Sequence, residues 1–461
     1  MNKHYHFIGI GGVGMGAVAS LLLAKGHKIS GSDLKDSELT LKLKKAGAQV
    51  MIGHHASNVK SPDYVVYSSA IRVNNPELIE SVSRKIPVLR RAEVLAQLVN
   101  EQVGITIGGA HGKTTTTSMI SSLLINASLK PTTAVGGIIN NGSSYNANLG
   151  EGKYFVAEVD ESDGTFLYFA PHYSIITNMD FEHVDFYKDW EGIVDAYRKF
   201  VNCTVKGGRV IACGEDAKLI EIVLSQDVSA ITYGLSNQCD VYAAHITSDG
   251  FQTSFACHTR QGKLGDFKLN VPGRHNVLNA LACITLGIEL AIAYEVMFNT
   301  LKEFTGVKRR FQLKSKEDDD VMVVDDYGHH PTEIRATLSA ARLFNKKRLI
   351  TVFQPHRYSR TKFLLDEFVE SLKLTDELVL TDIYAASEKI SEGVPVRALL
   401  DKVQEVLGSK AIFLKKEEIV NYLTDHVQQG DLVVFLGAGD IYHLSDELVN
   451  ARKKSIVEKM S

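Results

Sequence analysis

Cysteine is scarce in this chain: five residues, at positions 203, 213, 239, 257 and 283, an odd number with no C-x-x-C pair. That pattern favours neither a disulfide framework nor a zinc site, and it fits a reducing compartment. An excess of one charge is also missing. With 51 Lys and Arg against 54 Asp and Glu, the formal net charge is −3, which gives no basic footprint for nucleic acid. Anionic small molecules would have to be met by local pockets. No uninterrupted apolar run approaches the roughly 18 residues that cross a bilayer. The glycine-rich run at 7–23 mimics a signal-peptide core, but its spacing, with Asp33 beyond it, fits a strand–turn–helix unit better. The expected location is therefore the cytoplasm, with neither membrane nor nucleic acid as partner.

What is present is phosphate-binding chemistry. A β-branched strand at 103–107 runs into Gly109-Ala110-His111-Gly112-Lys113-Thr114-Thr115, and a helical pattern follows. Glycines let backbone N–H groups approach phosphate oxygens, and the helix N-terminus adds partial positive charge. Lys113 can reach the β- and γ-phosphates, and the Thr114 hydroxyl can hold Mg²⁺. The usual G-x-x-x-x-G-K-[ST] spacing would need Gly at position 107, where Ile107 stands, so the loop is a shorter G-x-x-G-K-T variant. The reading is an ATP site.

Length suggests about three domains at roughly 150 residues each. The first block, to about residue 95, alternates strands and helices. It carries Gly9-Ile-Gly11-Gly12-Val13-Gly14 with Asp33 about 20 residues on. That turn signals a nucleotide diphosphate without saying which one. Ser68-Ser69-Ala70 follows another strand and could meet the same ligand or be a plain turn. A second block, 96–310, holds the phosphate loop and two strands ending in Glu158 and in Asn178-Met-Asp180-Phe-Glu182-His183. Ligands gather at the C-terminal edge of such sheets, so Glu158, His183 and Thr114 are candidate Mg²⁺ ligands. The stretch 205–270 reads as an antiparallel excursion. Asn276 and Asn279, one turn apart at a helix start, share a face suited to a purine edge, with helix capping the alternative.

The third block, 311–461, returns to strand–helix alternation. Two strand ends carry polar clusters, Asp325-Asp326-Tyr327-Gly-His329-His330 and Gln354-Pro-His356-Arg357-Tyr-Ser-Arg360. Two adjacent histidines bind one ion poorly and the arginines would repel it, so a carboxylate site is the better reading.

In this order, the motifs resemble the Mur ligase family along essentially the whole chain. The resemblance implies three α/β domains. The N-terminal domain would be Rossmann-like (1–95), the central one of P-loop ATPase type with a small antiparallel excursion (96–310), and the C-terminal one Rossmann-like (311–461). It implies an ATP-dependent ligase of peptidoglycan precursor synthesis, using ATP and Mg²⁺ (two ions) to join alanine to UDP-N-acetylmuramate, as a monomer or homodimer. Gly11, Gly12, Val13, Gly14, Asp33, His54, Ser68, Ser69 and Ala70 would hold the UDP-sugar. Gly109 to Thr115 would hold ATP, with Asn276 and Asn279 reading adenine and Arg310 facing the phosphates. Thr114, Glu158 and His183 would hold metal. Tyr327, His329, His356, Arg357 and Arg360 would shape the amino-acid site, with Lys113, Arg310, His329 and His356 catalytic. Arg198, with Lys199 beside it, stands where several relatives carry a carbamoylated lysine, so no modified lysine is assigned. A recycling ligase of the same family, which attaches a preassembled peptide, is the nearest rival. A dinucleotide-dependent oxidoreductase would leave the phosphate loop idle.

Overall fold

The computed structural model describes residues 2–137, 147–162, 164–182, 186–316, 319–386, 388–389 and 395–460. Three sheets organise them. The first has five strands in the order Gln49–Ile52, Lys28–Asp33, His4–Ile8, Tyr64–Tyr67, Val88–Arg90, all parallel. Strand order reverses direction at His4–Ile8, which leaves a crevice at the C-terminal ends of the central strands. Helices between the strands start where the side chains can cap them. Ser37 accepts from Thr40 N at 3.2 Å, and Asn75 accepts from Glu77 N at 2.9 Å with Pro76 at the first helical position.

The second sheet is built on the strand Val103–Gly108, with Tyr154–Glu158 on one side and Tyr173–Ile176 on the other, all parallel. Arg209–Cys213 and Ala230–Gly234 extend it, also in parallel, with the helix Ala217–Leu224 between them. The expected antiparallel excursion from 205 therefore starts too early. The run Val210-Ile-Ala-Cys213 is buried on both faces, the pattern of a parallel strand under helices. Asp216 accepts from Leu219 N at 3.0 Å and starts the next helix. Only Val241–Asp249, Gln252–Thr259 and Gly262–Leu269 form the excursion, joined by connections of two residues, which antiparallel neighbours alone allow.

The third sheet runs Gln312–Leu313, Met322–Asp326, Leu432–Leu436, Leu349–Phe353, Glu377–Leu380, Ala411–Phe413, parallel except for its first edge strand. Its strands Met322–Asp326, Leu432–Leu436 and Leu349–Phe353 are fully buried, and apolar clusters cover both faces.

The chain divides into two compact units. One comprises residues 1–245, 255–267 and 277–304, and the other 246–254, 268–276 and 305–461. In the first, Phe166 and Phe200 stack with centroids 4.7 Å apart, Tyr197 meets Phe166 edge-on, and all three are buried. Phe200 also lies under the phosphate-loop strand, where a Cβ on Gly108 would come within 3.1 Å of its ring. Phe200→Ala should cost about 3–5 kcal/mol, read as a lowered urea midpoint; a loss under about 1 kcal/mol would mean that this ring does not hold the strand.

Candidate active site

Parallel pairing aligns the ends of three strands. Ile107 sits opposite Glu158, and Gly108 opposite Ile176. Beyond that line the chain turns through Gly109 (φ +129°) and Gly112 (φ +82°), the residue that precedes the helix Lys113–Asn126. Neither position admits a side chain. A Cβ on Gly109 would stand 2.1 Å from Thr177 Oγ1, and one on Gly112 2.6 Å from Asn279 Oδ1. Gly112 supplies no side-chain cap, so the first-turn N–H groups stay available to an anion. The loop is pinned from the neighbouring strand end. Thr177 Oγ1 and Asn178 Nδ2 both donate to His111 O, at 2.6 and 3.0 Å, and His111 N donates to Asn178 Oδ1 at 2.9 Å. His111 Nε2 meets Asp180 Oδ2 at 2.8 Å.

Lys113 folds back onto its own loop. Nζ donates to Gly109 O at 2.5 Å, Ala110 O at 3.1 Å and both Glu161 oxygens at 2.9 and 3.0 Å. Burial pulls its pKa down, but Glu161, Asp160 and Glu158 outweigh that and hold the ammonium well above the ordinary lysine value. Thr114 Oγ1 donates to Glu158 Oε1 at 3.0 Å, and Gly136 N donates to Oε2 at 2.8 Å. A hydroxyl and a carboxylate in contact form the hard-oxygen pair that suits Mg²⁺. His183, the third expected ligand, lies outside the described residues, as does Asp163. Asn279 Oδ1 accepts from Thr116 Oγ1 at 3.1 Å, which sets it against the loop. Asn276 Nδ2 donates to Pro272 O at 2.7 Å, tying down the helix start.

The same unit carries the N-terminal glycine turn. Gly9 and Ile10 donate to Ser32 O, and Asp33 accepts from Gly11 N at 2.8 Å and Leu34 N at 2.8 Å. Gly12 precedes the helix Val13–Ala24 and, like Gly112, offers no side-chain cap. His54 Nδ1 lies 2.9 Å from Ser32 Oγ. Ser68 O accepts from Ile71 N at 3.0 Å, closing the Ser68–Ala70 turn. Sequence reading missed two residues here. Arg91 places Nη1 3.2 Å from the Cβ position of Gly14, and Glu77 is buried behind His54. Arg91 stands outside any motif, and Glu77 reads as an ordinary first-turn acid.

The second unit gathers the remaining candidates. His329 packs edge-on to Tyr327 at 5.3 Å and to His356 at 5.5 Å between ring centroids. Arg360 Nη1 lies 3.2 Å from His356 Nδ1. Arg357 holds φ +70°, rare for a side-chain-bearing residue, and its N–H donates to Tyr384 O at 2.9 Å. Tyr384, also absent from the sequence reading, stacks on His356 at 5.6 Å. Arg310 lies over the Tyr327 ring at 5.1 Å and 3.4 Å from Glu333. Its backbone is set by Asp326, whose Oδ2 accepts from Phe311 N at 2.7 Å. Paired arginines beside imidazoles can clamp a carboxylate and leave a base nearby.

Residues 4–103 match the Mur ligase family catalytic domain, 107–287 the Mur ligase middle domain, and 309–439 the Mur ligase glutamate ligase domain. The chain belongs to the Mur ligase family. It is 45% identical over 447 residues to the UDP-N-acetylmuramate–L-alanine ligase of Trichlorobacter lovleyi, covering 96% of this chain and 98% of that one. The ligase of the same description from Geotalea daltonii is 45% identical, with 98% and 99% covered. Among solved structures, the UDP-N-acetylmuramate–alanine ligase of Thermotoga maritima superposes with a TM-score of 0.83 at 30% identity, covering 98% of this chain and all of that one. The three-domain α/β architecture of this family is the fold seen here.

Burial, then the positive charges of His329, Arg360 and Arg357, push the His356 imidazole down to about 3 from its ordinary 6.5. As pH falls, the unfolded chain protonates this group first. Its contribution to stability is complete above about 6.5 and is lost as pH drops towards 3. Proton NMR of the His356 ring should be flat from pH 8 to about pH 5; a midpoint near 6.5 would contradict the packing described.

Proposed function

We propose that this chain is an ATP-dependent ligase that joins L-alanine to the lactyl carboxylate of UDP-N-acetylmuramate, giving ADP and phosphate, in peptidoglycan precursor synthesis. The observation that carries the chemistry is the convergence of Lys113, Thr114 and Glu158 on an uncapped helix start. Three domains would divide the labour: 1–95 for the UDP-sugar, 96–310 for ATP, and 311–461 for the amino acid. The cytoplasm is the proposed compartment, in keeping with five free cysteines.

A carboxylate is a poor acyl donor because oxide is a poor leaving group. Phosphoryl transfer from ATP makes an acyl phosphate, the alanine nitrogen attacks it, and the tetrahedral intermediate expels phosphate. Such transfer needs positioning and charge neutralisation rather than a covalent protein group. Lys113 and Arg310 supply positive charge. Thr114 and Glu158, with His183, would hold Mg²⁺, which neutralises the phosphates when bound. Asn276 and Asn279 would meet adenine.

Arg357 and Arg360 would clamp the alanine carboxylate and so orient its nitrogen. That nitrogen must lose a proton before it attacks. His329, packed against His356, would accept it, because the burial that holds His356 neutral also makes it a weak base. The N-terminal glycine turn suits the UDP diphosphate as well as it would a dinucleotide, and the phosphate loop favours the ligase.

Phosphate release should require ATP, UDP-N-acetylmuramate and L-alanine together; release without the amino acid would refute ligation. Lys113→Ala should lower turnover by roughly a hundredfold or more, and near-normal turnover in the folded variant would remove its role. Arg357→Ala and Arg360→Ala should each raise the KM for alanine by roughly tenfold or more, with little change for ATP. Equal effects on both substrates would count against the clamp.

A further inference from the structure

One face of the N-terminal sheet carries polar groups that the proposed chemistry does not use. His4 and His6 alternate on one strand, and Ser30 and Ser32 on its neighbour, with His6 opposite Ser30 and Ile8 opposite Ser32. Glu77, from the first turn of the helix Pro76–Ser83, is fully buried against them. Its Oε2 accepts from His6 Nε2 and from Ser32 Oγ, each at 2.8 Å. Its Oε1 accepts from Asn58 Nδ2 at 2.9 Å and His55 N at 3.1 Å, and faces His54 Nδ1 at 3.3 Å. Burial raises the Glu77 pKa, but the bonds from His6, Asn58 and Ser32 outweigh it and hold the carboxyl below its ordinary value.

An ionised carboxylate only accepts. Ser32 has one proton and gives it to Glu77, so towards His54 Nδ1, 2.9 Å away, its oxygen can only accept. His54 must therefore carry its proton on Nδ1. That proton points at Ser32 and Glu77 together, whereas a lone pair there would face the carboxylate. The same logic runs inward. His6 donates Nε2–H to Glu77, its Nδ1 accepts from Ser30 Oγ at 2.9 Å, and Ser30 accepts from His4 Nε2 at 2.8 Å. One carboxylate thus orders three imidazoles.

We propose that Glu77 is a positioning residue for sugar-nucleotide recognition: by taking the Ser32 proton it locks His54 in the Nδ1–H tautomer, so that a bare Nε2 accepts an O–H or N–H of the ligand rather than meeting a phosphate oxygen. Among the described residues His54 Nε2 has no protein partner. Gly53 N donates to Asp33 O at 2.8 Å, which sets the neighbouring His54 at the strand edge that also carries the glycine turn. The proposal rests on the reading that His54 belongs to the UDP-sugar site.

The test uses the full-length protein labelled with ¹⁵N-histidine, together with calorimetric titration of UDP-N-acetylmuramate and, as control, ADP. The wild type should show His54 protonated at Nδ1. Glu77→Gln should redistribute that tautomer and weaken UDP-N-acetylmuramate by about tenfold, the worth of one hydrogen bond to a ligand donor, while ADP affinity stays unchanged. Ser32→Ala keeps the carboxylate facing His54 Nδ1 at 3.3 Å and should retain the tautomer, and the wild-type tautomer decides the proposal if Glu77→Gln does not fold. A wild-type His54 protonated at Nε2 overturns the proposal, as does full sugar-nucleotide affinity in a variant whose tautomer has shifted. His54→Ala binding as tightly as the wild type overturns instead the placement of His54 in the site. UDP, 3-methyl-UDP and 2′-deoxy-UDP separate the donors: the analogue whose binding no longer differs between wild type and His54→Ala identifies the group that His54 accepts.

Discussion

Parallel register is the constraint on which the phosphate site depends. Ile107 faces Glu158, and Gly108 faces Ile176, so the loop, the acid and the Thr177–Asn178 corner emerge at one level. A shift of one residue along either neighbour would turn every side chain on it to the opposite face and carry Glu158 away from Thr114. These strands are buried along nearly their whole length, so a slipped register would force both faces to repack. Chemistry at the edge is inherited from packing in the middle.

The glycines serve that edge in two ways. Gly109 and Gly112 adopt left-handed backbone and also give way to Thr177 and Asn279. Space and conformation demand the same residue type at both positions. In the second unit, Arg309, Phe311 and Arg357 adopt left-handed backbone although they bear side chains. Those positions cost roughly 1–3 kcal/mol each, and neighbouring bonds hold them: Asp326 accepts from Phe311 N, and Tyr384 O accepts from Arg357 N.

Much of this was legible in the sequence because it rests on local rules. Strands such as Tyr64–Tyr67 and Met322–Asp326 are apolar, largely β-branched runs that end at turn residues, which made the strand–helix alternation legible. The phosphate loop declared itself by glycine spacing. Arg209–Cys213 was lost to the supposed excursion because a short buried strand carries no alternation to distinguish it. Glu161, Arg91, Glu77 and Tyr384 were illegible for another reason. Their roles come from partners far along the chain, such as Lys113 for Glu161 and His6 for Glu77, and no spacing within a window records that. His356 and Arg357 were visible as a polar cluster, but the depressed basicity of His356 follows only from what packs around it.

An ammonium has three protons, and in Lys113 they are shared among two loop carbonyls and Glu161. Those bonds use every proton of the lysine. A phosphate that recruits it must displace a carboxylate already in place, so binding is an exchange of counter-ions and not the filling of a vacancy. A lone orthophosphate, with few other contacts to offer, competes poorly for such a lysine. A polyphosphate that also engages the helix start can complete the exchange, and the loop thereby discriminates by chain length before any base is read.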